Sequence, residues 1–337
     1  MLDWLNHTIL RVVVAACMPA IEFVERGGSR YYWMYCVSGL AIAAYAYYKH
    51  REVKSFQETL FDRHVWLSPS AINDYLIVVV TPVLFITILS ALVFNWQPVS
   101  AYVAGLLHSA GVSGTADNNA AFALGLALTL TLFIVDDLGR WFAHYIFHRI
   151  PELWEFHKVH HSAEVLNFVT ADRLHPVERL TDMAITALSY GAINGLFIGA
   201  FGDKLTVTTV MGANVFLFVF NICGGVLRHS PFWISFGPGV EKWFISPAMH
   251  HIHHSNKPEH FDRNYGGALA IWDRMAGSLH IPKGREIEGF GIGEETADYR
   301  SFAVILFRPF VAAARIFGKR FMAAEPTQPA AAETVSA

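Results

Sequence analysis

Charge is the first thing this 337-residue chain is short of: Asp, Glu, Lys and Arg make up 16% of it, against roughly a quarter of an ordinary soluble domain. Hydrophobic residues fill 53% and the mean hydropathy is +0.34, so membrane residence is the first expectation. Basic excess is missing as well. A net charge of −3 leaves no electrostatic footprint for nucleic acid. Cysteine is scarce: Cys17, Cys36 and Cys223 are scattered through apolar stretches without C-x-x-C spacing, which supports neither a disulfide framework nor a thiolate metal site. There is no H-E-x-x-H and no Gly-rich nucleotide motif, so the common zinc-hydrolase signature and a bound dinucleotide are both unsupported.

What the chain has in excess is histidine, 17 in all, with 11 of them between His144 and His254. Five apolar stretches surround them, at about 31–48, 74–95, 119–143, 183–201 and 205–222. Each is long enough, or nearly so, to span roughly 30 Å of hydrocarbon as a helix. The run from Ile9 to Val24, interrupted by Arg11, Pro19 and Glu22, reads as interfacial or re-entrant. The expectation is an all-α membrane protein with about four to six transmembrane helices. It divides into N-terminal membrane helices and loops (1–118), a histidine-rich catalytic domain (119–282), a C-terminal amphipathic segment (283–322) and a disordered tail (323–337). The C-terminal segment alternates apolar residues with Arg308, Arg315, Lys319 and Arg320, as either a surface-lying membrane helix or a soluble helix would.

Lys and Arg orient these spans. The loop from Trp96 to Asn118 carries none, whereas 49–73 and 140–182 are rich in them, which places the latter two in the cytoplasm and the loop outside. Two spans within 183–222 then return the chain to the same side, so all histidine-rich segments meet on one face.

Three clusters carry the chemistry: H-x-x-x-H at His144 and His148, H-x-x-H-H at His157, His160 and His161, and H-x-x-H-H again at His250, His253 and His254. On helices these spacings share a face, so each cluster is expected to aim its imidazoles at a common point. Eight imidazoles are too many for one ion and suit two. Two adjacent metals with neutral ligands favour redox chemistry with dioxygen over zinc hydrolysis, which uses three protein ligands and a water. Asp137, two turns before His144, is placed to accept the outer N–H of a ligand histidine or to pair with Arg140. Asn214 falls inside the expected fifth span, where it either orients a metal-bound water or bonds a neighbouring helix. His251 lies off the face of its neighbours and reads as an outer or exposed residue.

The segments Trp141–Ser162, Thr170–Glu178 (T-A-D-R-L-H-P-V-E), Ser246–Ser255 and Asn264–Ser278 (N-Y-G-G-A-L-A-I-W-D-R-M-A-G-S) resemble the fatty acid hydroxylase superfamily, which includes the sterol desaturases. The resemblance implies a di-iron centre, two Fe ions per chain, in a helical cap on the cytoplasmic face of a multi-pass membrane protein, here of the cell inner membrane. It also brings His175, in the His-Pro element, and His229, in R-H-S, toward the ligand set. The partners it implies are a membrane lipid, O2 and a separate electron-transfer protein, because no haem domain is fused. The leading reading is hydroxylation of an acyl chain or an amino-acid headgroup such as that of an ornithine lipid. Desaturation of a sterol or other lipid is the runner-up. A divalent-metal transporter is a remote third, since transport sites lie near the bilayer midplane and these histidines lie at span ends.

Overall fold

A computed structural model of the chain describes residues 20–50, 55–87 and 95–323, with positions 13, 14 and 17. Half of the run from Ile9 to Val24, the end of the stretch 74–95 and the tail after Ala323 lie outside the described residues. The protein is mainly helical, with one two-stranded hairpin among the described residues. The helices are α1 (Trp33–His50), α2 (Phe56–Leu60), α3 (Arg63–Leu67), α4 (Pro69–Thr87), α5 (Trp96–Ser109), α6 (Asn118–Arg149), α7 (Pro151–His161) and α8 (Pro176–Phe201). The hairpin, β1 (Thr209–Val210) and β2 (Ala213–Asn214), leads to α9 (Val215–Ile222), α10 (Pro247–His253), α11 (Ile271–Ala276) and α12 (Phe302–Ala323).

Among the described residues two helices are long and apolar enough to cross a membrane, the segments Ala120–Arg149 and Pro176–Phe201. A third candidate is the pair Phe56–Leu67 and Pro69–Phe85, bent by 73° at its break. Helix α6 starts at Asp117, whose carboxylate accepts the Ala120 N–H at 2.7 Å, a side-chain cap for an otherwise unpaired donor. Along it Phe122, Leu126, Leu130, Ile134, Leu138 and Phe142 are all exposed. Their spacing of four makes one apolar stripe, which suits lipid rather than water.

Two expectations are corrected here. The fifth span at 205–222 is replaced by the hairpin and α9, a helix of 8 residues and so about 12 Å long, too short to cross. The Lys- and Arg-free segment from Trp96 is a helix, α5, lying on α8. Glycine makes that approach possible: a Cβ at Gly191 would fall 2.6 Å from Val99 Cβ, and one at Gly195 would fall 2.5 Å from the Ser100 carbonyl oxygen. Gly199 repeats the contact against Leu107, so small residues every fourth position open one groove, as in close-packed membrane helices.

Arg173 fastens the cap to α4. Its side chain is 1% exposed and pairs with Asp74 at 2.9 Å; it donates to the Val159 carbonyl at 2.8 Å and to Ser162 Oγ at 2.9 Å. These contacts flank His160 and His161 on both sides. From the opposite side α12 covers α7, with Phe310 against Phe156 at 5.2 Å and Arg320 on Glu152 at 2.9 Å. The amphipathic C-terminal helix thus packs its apolar face on the histidine-bearing helix.

Candidate metal centre

Helix α6 runs past its apolar stripe and ends with His144 and His148. Ile150 breaks it, and Pro151 at the first position of α7 starts the next helix without losing a needed hydrogen bond. That helix carries His157, His160 and His161. Ser246 caps α10, accepting the Met249 N–H at 3.3 Å, and α10 presents His250 and His253, with His254 just past its end. His229 follows the short turn Gly225–Arg228.

Nine histidines gather into two groups. His144, His148, His157, His161 and His253 form one, and His160, His229, His250 and His254 the other; within each, the available ligand atoms lie within 4.8 Å of one another. The clusters therefore do not each aim at one point as expected. At 3.6 residues per turn, positions i and i+4 differ by about 40°, while i+3 lies about 100° from i+4. Each H-x-x-H-H accordingly gives its first and last histidine to one group and its middle one to the other, and the two clusters do so in opposite senses.

The five Nε2 atoms of the first group are all buried and without a hydrogen-bond partner. Their outer nitrogens are held. His157 Nδ1 meets Glu178 Oε1 at 2.7 Å, His144 Nδ1 the Tyr265 carbonyl at 2.7 Å and His253 Nδ1 the Arg263 carbonyl at 2.8 Å. His148 Nδ1 lies 3.6 Å from Asp262. An acceptor on Nδ1 fixes the proton there and leaves the Nε2 lone pair facing inward. In the second group the Nε2 atoms face one another directly: His229 lies 3.0 Å from His250 and 3.2 Å from both His160 and His254. Here the Nδ1 atoms of His160, His250 and His254 are the buried, unpartnered ones.

Electrostatics agree with neutral ligands. Burial first, and neighbouring imidazoles second, hold His157, His161, His229, His250, His253 and His254 well below the usual imidazole range. His160 is pushed down to about 3 by burial and then by the Arg173 guanidinium. Uncharged imidazoles whose Nε2 atoms converge are the donor set a borderline transition metal takes. The residues present therefore fit such a metal in both groups.

Other expected site residues stand elsewhere. His175 joins neither group: its Nδ1 accepts the Val177 N–H at 3.1 Å and its Nε2 donates to the Leu306 carbonyl at 3.1 Å, so both nitrogens are committed to capping α8 and holding α12. Asp137 reaches no histidine. Its oxygens accept from Ala268 N at 2.7 Å, Leu269 N at 3.0 Å and Trp272 Nε1 at 2.9 Å, while Asp136 pairs with Arg140 at 2.8 Å. Asn214 caps α9 and donates to the Thr129 carbonyl at 2.8 Å, bonding a neighbouring helix. His251 is buried rather than exposed, beside Trp233 and Phe290. Glu178 was not singled out from the sequence. Its signal was there: a carboxylate in the first turn of a helix that then runs apolar for a membrane's width needs a buried partner.

Two cavities adjoin the groups, and another shares residues with the first of them. One touches both, lined by His144 and His157 from the first and His160, His229 and His250 from the second, with Arg30, Arg140 and Arg228 at its rim. Arg30 and Arg140 are shared with a larger cavity of ≈ 700 Å³, lined on its apolar side by Ile77, Val78, Phe85 and Met183 of α4 and α8 and on its polar side by Glu22, Arg26, Asp172 and Arg179. A third, of ≈ 360 Å³, opens onto His148, His161 and His253 under the loop at Gly291 and Ile292.

Residues 129–278 match the family model described as Fatty acid hydroxylase, and this stretch contains both histidine groups. Among curated proteins the chain is 31% identical to the ornithine lipid hydroxylase OlsE of Rhizobium tropici over 189 residues, covering 56% of this chain and 52% of that protein. It is 29% identical to the alkylglycerol monooxygenase of Danio rerio, over 47% of this chain and 31% of the relative. It is 26% identical to the lathosterol oxidase of Mus musculus, over 58% and 60%. The chain thus spans about half the length of the first of these relatives. No solved structure matches it.

Proposed function

We propose that the protein is a membrane-bound, O2-dependent hydroxylase of a lipid, with two irons held by the nine facing histidines. The observation that carries this reading is the cavity that touches both groups at once: a carbon entering it is bordered by histidines of both. Bound there, two irons would supply the paired one-electron steps by which dioxygen cleaves an unactivated C–H bond. Hydroxylation consumes O2, two electrons and two protons and yields the alcohol and water; in this reading the two electrons come from a separate electron-transfer protein.

The chain's own residues do the positioning. Glu178 and the carbonyls of Tyr265 and Arg263 orient three imidazoles of the first group. An acyl or alkyl chain would lie along the apolar side of the larger cavity, formed by Ile77, Val78, Phe85 and Met183. Names of the relatives support lipid hydroxylation over sterol desaturation, because the ornithine lipid hydroxylase and the alkylglycerol monooxygenase precede the lathosterol oxidase in similarity.

In this reading residues 119–282 are the catalytic domain, the histidine cap faces the cytoplasm and the protein lies in the inner membrane. Lipid extracts of cells with and without the gene test the chemistry: a product heavier by one oxygen atom supports hydroxylation, and one lighter by two hydrogens overturns it in favour of desaturation. Topology is tested with single cysteines at the exposed positions Ser113, Ile150 and Asn256 after removal of the native three. An impermeant maleimide should reach 113 in intact cells and 150 and 256 only after permeabilisation; labelling of 150 and 256 in intact cells would overturn the cytoplasmic placement.

A further inference from the structure

Outside the two groups a third cluster stands alone: His260 at the end of the turn Pro258–His260, His280 after Leu279, and Glu286 in the loop that follows. We propose that these three residues form a separate binding site for a divalent cation of the zinc class, whose occupancy fixes the loop 281–292 over the third histidine cluster. The inference goes beyond the hydroxylase reading and does not depend on it.

The geometry is that of a cation shell. Glu286 Oε2 lies 2.8 Å from His280 Nε2 and 3.6 Å from His260 Nε2, and all three residues offer ligand atoms within 4.8 Å. Zinc–ligand bonds of about 2.0–2.1 Å set tetrahedral ligands about 3.3 Å apart, a value the two edges bracket. A plain His280–Glu286 hydrogen bond would leave His260 unexplained. That ring is 2% exposed, its Nδ1 has no partner, and its Nε2 stands farther from the carboxylate than a hydrogen bond allows. A cation between the three would engage its Nε2, the atom that faces the carboxylate. Two imidazoles and one carboxylate suit zinc and its neighbours, whereas magnesium and calcium take oxygen ligands.

The cradle is built from outside as well. Glu286 Oε1 accepts the Lys283 N–H at 2.7 Å, and the His280 N–H donates to Asn264 Oδ1 at 2.7 Å. Asn264 in turn donates to the Met249 carbonyl at 3.0 Å, which ties the cluster to α10. The same loop pairs Glu288 with Lys257 at 2.8 Å and receives the Asn256 N–H on the Gly289 carbonyl at 3.2 Å. Its far end, Gly291 and Ile292, walls the cavity at His148, His161 and His253.

The test uses the full chain in detergent, loaded with iron and then titrated with zinc, with metals counted per chain. Wild type should take up one zinc more than His260→Gln/His280→Gln at unchanged iron. Glu286→Gln, a milder variant, should weaken that zinc by more than the roughly 10–100-fold that loss of an outer partner costs. Zinc should also slow tryptic cleavage after Lys283 and Arg285 in wild type and not in the variants. Equal zinc uptake by all three proteins, or zinc loss only in step with iron loss, overturns the site. A wild type that holds no iron but shows the variant-dependent zinc would leave this site standing and sink the central one.

Discussion

The two histidine groups are built differently, although they draw on the same helices. Three of the five imidazoles in the first are backed on their outer nitrogen by a carboxylate or carbonyl, and a fourth faces Asp262. In the second, three outer nitrogens are buried without any acceptor, and the inner ones crowd to 3.0–3.2 Å. The first group is organised by the protein alone. The second has its lone pairs arranged against one another and is organised fully only by a cation that draws them together. Metal affinity and local order should therefore be linked more tightly in the second group.

The largest effect expected comes from removing a facing ligand. His161→Ala or His254→Ala should lower turnover by more than 100-fold and cost about one iron per chain, since a direct ligand matters more than an outer one. Iron quantitation beside single-turnover assays checks this. Removal from the four-membered group should also loosen hydrogen-exchange protection around residues 250–254 more than removal from the five-membered group loosens 144–148. Equal loosening would erase the contrast.

Glu178→Gln should come next. It keeps an acceptor for His157 but removes the charge, so iron should bind about 10–100-fold more weakly at the first group only. Loss of iron from both groups would break the division between them.

His175 supplies the control, a buried histidine already holding protein partners. Burial lowers its pKa to about 4, against 6.5 in the unfolded chain. Between these values the unfolded state binds the extra proton, so stability falls as pH drops from 6.5 toward 4 and is flat above. The full loss is about 3 kcal/mol. His175→Asn retains a cap for α8 and should flatten that part of the pH profile in thermal unfolding while leaving iron content unchanged. The smallest effect belongs to His251, which faces Trp233 and Phe290 and no metal group: His251→Ala should retain substantial activity.

Short-range pattern made much of this legible. The three histidine clusters, the helices bearing them and the apolar stretches at 119–143 and 183–201 follow from spacing within a few turns. What the sequence did not show is what depends on partners far apart in the chain. The division of each cluster between two groups was readable in principle from the 100° step. The carbonyls behind His144 and His253 come from a loop more than 100 residues after His144 in one case and from its own neighbourhood in the other, and carbonyls leave no mark in a sequence. Helix α5 was hidden because absence of charge reads equally as an external loop or as a helix pressed on glycines. The fifth span failed because hydropathy alone does not register the turn at Met211 and Gly212, both at positive φ.

Helix α6 both presents the apolar stripe and carries two of the facing histidines, and Asp137 clamps the loop behind them to the same helix. From Ala120 to His144 it rises about 36 Å, slightly more than the roughly 30 Å of hydrocarbon. In the proposed membrane setting the helix is a ruler whose zero is the far interface, and the centre sits just beyond the near one. A lipid resting at its normal depth offers the carbons close to its headgroup, and the position of oxidation is set by counting helical turns rather than by recognising a methylene among identical neighbours. One turn added between Leu130 and Asp137 would move that mark along the chain by about 5 Å.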